Sequence, residues 1–366
     1  MSTPIEPDDL ASAVSAGIVT EAQAASLASL AQTRAGLRAR MPKEDEPFEL
    51  FRGLNEVFVA AGVVLLIAGG VMLAGLGTGS AGIAGVMGVL ICWLLAEYFT
   101  LKRRMVLPSI VLCAGTGIFA VQAGIAVLLD IVRGGADAIA ADVAQGFGIG
   151  AVVVLAFFVR FRLPFAVFLT GLCSLPPLFL VTDTLSGPLS FVSLWRDPMR
   201  IFDLATALPV ALVMLGFGLM AFTLAMAFDV RDPHRIGRLS RCGFWLHLLA
   251  APAIVNTLAL SLYRMGTETA LFALVGVIAL MTLVALVIDR RSFLLSAVAY
   301  LGLLLTLAFE EARAEIAVPA VLLILGTGVT ALGTGWTSLR GRLMRALPLG
   351  GVRDYLPPYQ TVRSAP

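Results

Sequence analysis

Very few side chains inside the long apolar stretches of this chain can exchange a proton or bind a polar ligand. Four of them fall at matching depths: Glu97, Gln122, His247 and Asn256. A polar group in hydrocarbon is costly, and its presence is therefore informative. Counting 1.5 Å per residue from the midpoint of each stretch, Gln122 and Asn256 both lie roughly 6 to 7 Å toward one face. Glu97 and His247 lie roughly 7 to 10 Å toward the other. The depths permit an amide pair, Gln122 with Asn256, and an acid–base pair, Glu97 with His247, which would be a proton-sensitive contact near neutral pH. His247 and Asn256 are nine residues apart, on opposite sides of a straight helix, and line one cavity only if that helix is distorted. Pro252 between them could supply the distortion by freeing the Leu248 carbonyl, and Pro176-Pro177 should break a second span. There is a plainer alternative for each residue. Lone Gln, Asn and His side chains in bundles often only bridge helices, for ~0.6 kcal/mol each. Glu97 is also close enough to Lys102, Arg103 and Arg104 to snorkel toward them.

The elements that hold these residues follow from composition. Apolar residues make up 59% of the chain and charged ones only 14%, which is outside the range of soluble globular domains. Charge-free stretches near the length of a bilayer crossing occur at about 57–77, 81–100, 106–129, 143–159, 163–181, 204–228, 242–262, 270–288, 293–309 and 317–337. The expected fold class is thus all-α: a polytopic transmembrane bundle of about ten spans. Lys and Arg fall on every second connection, 21 of the 26 on one side. Basic loops stay in the cytoplasm, so both termini are expected there, with the chain in the inner membrane. The opposite face carries acids instead, among them Asp130, Asp142, Asp183, Asp203, Glu268 and Glu310. No cleavable signal precedes the first span, because residues 1–56 are polar and the first apolar run is too long for a signal core.

Four parts follow in chain order: a cytosolic helical hairpin at 1–41, a linker at 42–56, the membrane domain at 57–337 and a basic tail at 338–366. Gly17 should stop the first hairpin helix, and Thr20 with Gln23 forms a capping box that opens a second from Glu21 to about Arg40. In the tail, Leu339, Leu343, Met344 and Leu347 flank Arg340, Arg342 and Arg345, a spacing suited to a short amphipathic helix on the inner leaflet. Residues 348–366 are expected to be poorly ordered beyond it. The cysteines Cys92, Cys113, Cys173 and Cys242 lie in or beside spans without Cys-x-x-Cys spacing and read as buried thiols, not metal ligands. Gly77-Thr78-Gly79-Ser80-Ala81-Gly82 matches a dinucleotide fingerprint, but it joins two membrane helices with no strand before it, so a tight turn is expected. Other glycines, such as Gly85, Gly88, Gly146 and Gly150, sit within spans, where small residues let helices approach. No cofactor motif, zinc cluster, paired catalytic carboxylates or nucleophile elbow is present, and the basic loops read as topology, not nucleic-acid binding.

The pattern Leu10...Gly17-Ile18-Val19-Thr20-Glu21-Ala22-Gln23-Ala24, followed by a linker, a Gly-rich first span and a tail with Leu356-Pro357-Pro358, resembles bacterial multi-pass membrane proteins classed as a domain of unknown function. That resemblance implies location and architecture, and no mechanism. Two functional classes stay open. The sequence favours a structural, sensory or assembly role in the cell envelope, with the bilayer as one partner and envelope proteins reached through the hairpin. The alternative is a small-solute or proton-coupled transporter with a five-plus-five arrangement of helices. A membrane enzyme lacks any reactive constellation.

Overall fold

A computed structural model describes residues 7–19, 23, 27, 54–131, 136–186, 198–232, 237–291, 293, 298, 314–348 and 350–357. These form an all-α chain with no strand among the described residues. A short helix α1 (Pro7–Ser15) ends where Gly17 turns left-handed at φ 67°, with the Ile18 amide bonded back to the Ala13 carbonyl at 2.9 Å. Of the second hairpin helix only Gln23 and Leu27 are described, both helical; the rest of it and the linker lie outside the described residues.

Nine long helices follow among the described residues. They are α2 (Leu54–Thr78), α3 (Ala81–Ala96), α4 (Val106–Ile131), α5 (Ala136–Phe161), α6 (Pro164–Ser186), α7 (Leu208–Arg231), α8 (Arg238–Met265), α9 (Glu268–Ile288) and α10 (Ala314–Ala346). Each is long and apolar enough to cross a membrane, α3 together with the π-helical turn Glu97–Lys102 that continues it. Large apolar side chains such as Leu65, Leu73, Leu94, Val152 and Phe272 point outward. Such a surface is stable only against lipid, so the chain is a multi-pass integral membrane protein.

Two apolar cores meet at α6. One gathers Ile67, Leu112, Val154 and Phe157 from α2, α4 and α5, with Leu163 and Ala166 at the start of α6. The other joins Phe217 of α7, Leu249 and Ile254 of α8, Leu274 of α9 and Trp336 of α10, with Phe168 and Leu175 of α6 against it. Glycines set the spacing within each core. A methyl group at Gly85 would come within 2.8 Å of the Ala123 backbone nitrogen, and one at Gly146 within 2.9 Å of that of Ile125. Helix α7 approaches α8 in the same way, since a methyl at Gly218 would meet the Ala253 Cβ at 2.8 Å. The Gly77–Gly82 segment is a tight turn: Gly79 is left-handed at φ 64° and the Ser80 hydroxyl accepts from the Ile83 amide.

The structure corrects two expectations. Helices α6 and α8 run unbroken through Pro176, Pro177 and Pro252. A proline deletes one backbone bond, and the flanking turns bridge that gap; nearby, Ser174 and Thr170 bond carbonyls of their own helix. The tail does not carry a separate interfacial helix either. Helix α10 continues without interruption to Ala346, with Arg340 and Met344 buried against protein. Beyond it, Gly350–Tyr355 forms a 3₁₀ turn and Leu356 is buried, where disorder was expected.

Of the expected span at 293–309 only Phe293 and Val298 are described, both helical. Trp336, ten residues before the end of α10, bonds Asp289 at the end of α9.

Candidate functional site

The most heavily charged interior point of the described structure lies at the face where α7 and α9 end and α8 begins. Helix periodicity assembles it. Phe222, Ala225 and Asp229 recur at i, i+3 and i+7 along α7, and Ser240, Gly243 and His247 do the same along α8. The two stripes face each other because the helices form an antiparallel hairpin. Gly243 is what lets them close: a methyl there would sit 2.6 Å from Asp229 Oδ1 and 3.2 Å from the Ala225 carbonyl oxygen. Arg290 enters from the turn after α9, where Asp289 adopts a left-handed conformation at φ 55°.

The Asp229 carboxylate accepts from both neighbours. Arg290 Nε donates to Oδ2 at 3.0 Å and Nη2 donates to Oδ1, a two-pronged contact of the kind the guanidinium fork favours. His247 Nε2 lies 3.1 Å from Oδ2. An ionised carboxylate can only accept, so this geometry assigns the proton to Nε2. Arg290 Nη2 also donates to the Ser240 carbonyl at 2.8 Å and contacts its hydroxyl at 3.2 Å. Side-chain exposure is 0% for His247, 5% for Asp229 and 8% for Arg290, so the cluster is sealed from solvent and from lipid. Phe222 and Phe293 meet the imidazole edge-on at 5.5 and 6.0 Å between ring centroids. The charges of the Asp229 carboxylate and the Arg290 guanidinium cancel.

Half of a hydrolytic relay is present, an Asp that orients a His. The other half is missing among the described residues, because the Ser240 hydroxyl contacts Arg290 and no hydrogen bond joins it to the imidazole. The arrangement suits fixing three helices to one another more than bond-breaking chemistry.

The residues singled out from the sequence disperse. Glu97 pairs with Arg160 at 2.8 Å, with both side chains substantially exposed. It makes no contact with His247, which has taken Asp229 instead. Glu97 belongs to a π-helical turn, Glu97–Lys102, that closes α3 in the other half of the bundle. Gln122 donates to the Ala81 carbonyl at 3.1 Å, and no hydrogen bond joins it to the half-buried Asn256. Asp229 and Arg290 fall just beyond the expected spans 204–228 and 270–288, where the hydropathy pattern assigns them to loops. The available signal was an acid at the arginine-rich face, ahead of the Ser240, Gly243 and His247 stripe.

The opposite end of α8 is held by a second cluster. Asp203 Oδ2 accepts from Arg264 Nη1 and from the Thr206 hydroxyl, both at 2.6 Å, and Oδ1 accepts from the Ala205 amide at 2.9 Å. Burial pushes the Asp203 carboxyl upward. The bonds from Thr206, Ala205 and Arg264, with the Arg264 charge, outweigh it and hold the group below the usual carboxylate value. Among the described residues no group of three or more His, Cys, Asp or Glu side chains is placed to hold a metal ion.

Compared with protein-family models, curated proteins and solved structures, the chain matches none of them.

Proposed function

We propose that this chain is a bacterial inner-membrane protein of ten spans with both termini in the cytoplasm, and that its role is structural, sensory or in assembly of the envelope. One observation carries the choice of role: among the described residues the interior is closed by contact and by internal pairing. Glycines bring α3, α4 and α5, and likewise α7 and α8, to near backbone contact. The charged cluster within the span is consumed by its own members, with every named donor aimed at Asp229 or Ser240. Transport sites differ in having half-helix ends and carbonyls turned toward a solute. Here α6 and α8 stay continuous. The basic connections support the cytoplasmic placement of the termini. Ile18 and Leu27 are exposed in the N-terminal part and offer apolar contact to a protein partner.

Reconstitution tests the choice against transport. Liposomes containing the purified protein and an internal pH-sensitive dye, under an imposed potassium diffusion potential, should show proton flux at the rate of protein-free liposomes. Osmotic swelling in small polar solutes should match as well. A protein-dependent flux that Asp229→Asn abolishes would overturn the structural reading in favour of proton-coupled transport.

A further inference from the structure

Three consecutive residues at the end of α9 bind three different parts of the protein. Asp289 accepts from Trp336 Nε1 of α10 at 2.7 Å. Arg290 holds Asp229 of α7 and the Ser240 carbonyl of α8. Arg291 stacks over the Trp336 ring at 5.3 Å from its centroid. One helical turn beyond Trp336, Arg340 is buried; its Nε donates to the Leu286 carbonyl of α9 at 3.1 Å and its Nη2 to the Pro357 carbonyl of the tail at 2.6 Å. The tail is seated there by more than one bond. Leu356 is 7% exposed, and the Gly350–Tyr355 turn packs against α7, the helix that carries Asp229.

We propose that the segment Gly350–Pro357 is a strap whose seating is coupled to the Asp229–His247–Arg290 cluster through the rigid Asp289-Arg290-Arg291 turn. The physical reason is geometric. Asp289 is held left-handed, so its φ and ψ fix the directions in which residues 289 and 290 leave the chain. Movement of Trp336 and Arg340 with the strap would pull on Asp289 and the Leu286 carbonyl, and thereby turn Arg290 off the carboxylate. The converse also holds, because coupling between two sites is reciprocal: release of Arg290 must loosen the strap by the same factor. A tail that reports the state of an intramembrane cluster to the aqueous side is a sensory device. The coupling itself is a property of the fold and does not depend on the flux result above.

Two single-cysteine proteins test it in native membranes, each with the other buried cysteines replaced by alanine. The first carries Leu356→Cys and reports strap release by maleimide labelling. Arg340→Gln should speed that labelling at least tenfold. Asp229→Asn and the milder Ser240→Ala should each speed it as well, about fivefold or more for Asp229→Asn, near the low end of measured couplings. The second protein keeps native Cys242, buried two residues from Ser240. Arg340→Gln should expose it by a comparable factor. Unchanged Leu356→Cys labelling in Arg340→Gln overturns the strap. If that labelling rises but Cys242 in Arg340→Gln and Leu356→Cys in Ser240→Ala both stay at the parental rate, the strap is an isolated anchor and the coupling is refuted. The Cys242 arm does not require the Asp229 variant to fold.

Discussion

Removing only the charge of Asp229 should be the most damaging small change in this protein. Asp229→Asn keeps the size of the side chain and can still accept one hydrogen bond, but it leaves Arg290 8% exposed with no anion beside it. Breaking one side of a buried ion pair in this way costs about 3–5 kcal/mol. The cluster lies within one turn of the end of α7, close to water, which favours the lower end of that range. The cost belongs to the stranded guanidinium rather than to the pair. Asp229→Asn combined with Arg290→Met, which removes both charges, should therefore return to within about 1 kcal/mol of the parent. Arg290→Lys should fall between, losing roughly 1.5–3 kcal/mol, because a point ammonium cannot span both carboxylate oxygens and the Ser240 carbonyl. Unfolding free energies in mixed micelles, from SDS titration followed by tryptophan fluorescence and far-ultraviolet circular dichroism, provide the cycle. Trp245 and Trp336 flank the region and report its loss. Two results would refute the reasoning. One is a loss below about 1 kcal/mol for Asp229→Asn; the other is a double variant whose cost equals the sum of the singles, which would mean that the two groups do not interact.

Gly243→Ala should cost about 1–3 kcal/mol in the same titration, since its methyl collides with a carboxylate that Arg290 and His247 pin in place, whereas Gly216→Ala, with open space around it, should be neutral or slightly stabilising. Asp203 has a folded pKa held below its usual 3.8, so its contribution to stability is full above that value and is lost as pH falls through the lower folded value; Asp203→Asn should flatten this acid-side loss, and an unchanged pH profile below about 4 would remove the basis for it. Labelling of intact cells with a membrane-impermeant maleimide should modify Met265→Cys and spare Lys102→Cys, and the opposite pattern would invert the orientation assigned from the basic loops.

How much of this was legible depended on which rule spoke for each residue. The spans were legible because a charge-free run of bilayer length has few other uses. Their ends shifted where polar contacts took over: α7 begins at Leu208 because residues 203–206 are tied into the Asp203 cluster, and α10 runs past 337 because Arg340 finds carbonyls. The candidate site was misread through a sound rule applied too widely. Arg290 and Arg340 satisfy the statistics of cytoplasmic loops, so topology seemed to account for them fully, yet both side chains turn inward. A basic residue can obey the loop rule and also complete an ion pair one turn inside the membrane boundary. Depth matching failed for a related reason. It ranked Glu97 as the partner of His247 on distance along the membrane normal alone and ignored lateral neighbours, which chain connectivity largely decides. The short α7–α8 connection forces Asp229 beside the Ser240, Gly243 and His247 stripe, while Glu97 sits half-exposed at the end of α3, paired with Arg160 of α5. An acid at an arginine-rich face, opposite a small-residue stripe on the next helix, is thus a stronger pairing signal than equal depth. It carries lateral information that depth lacks.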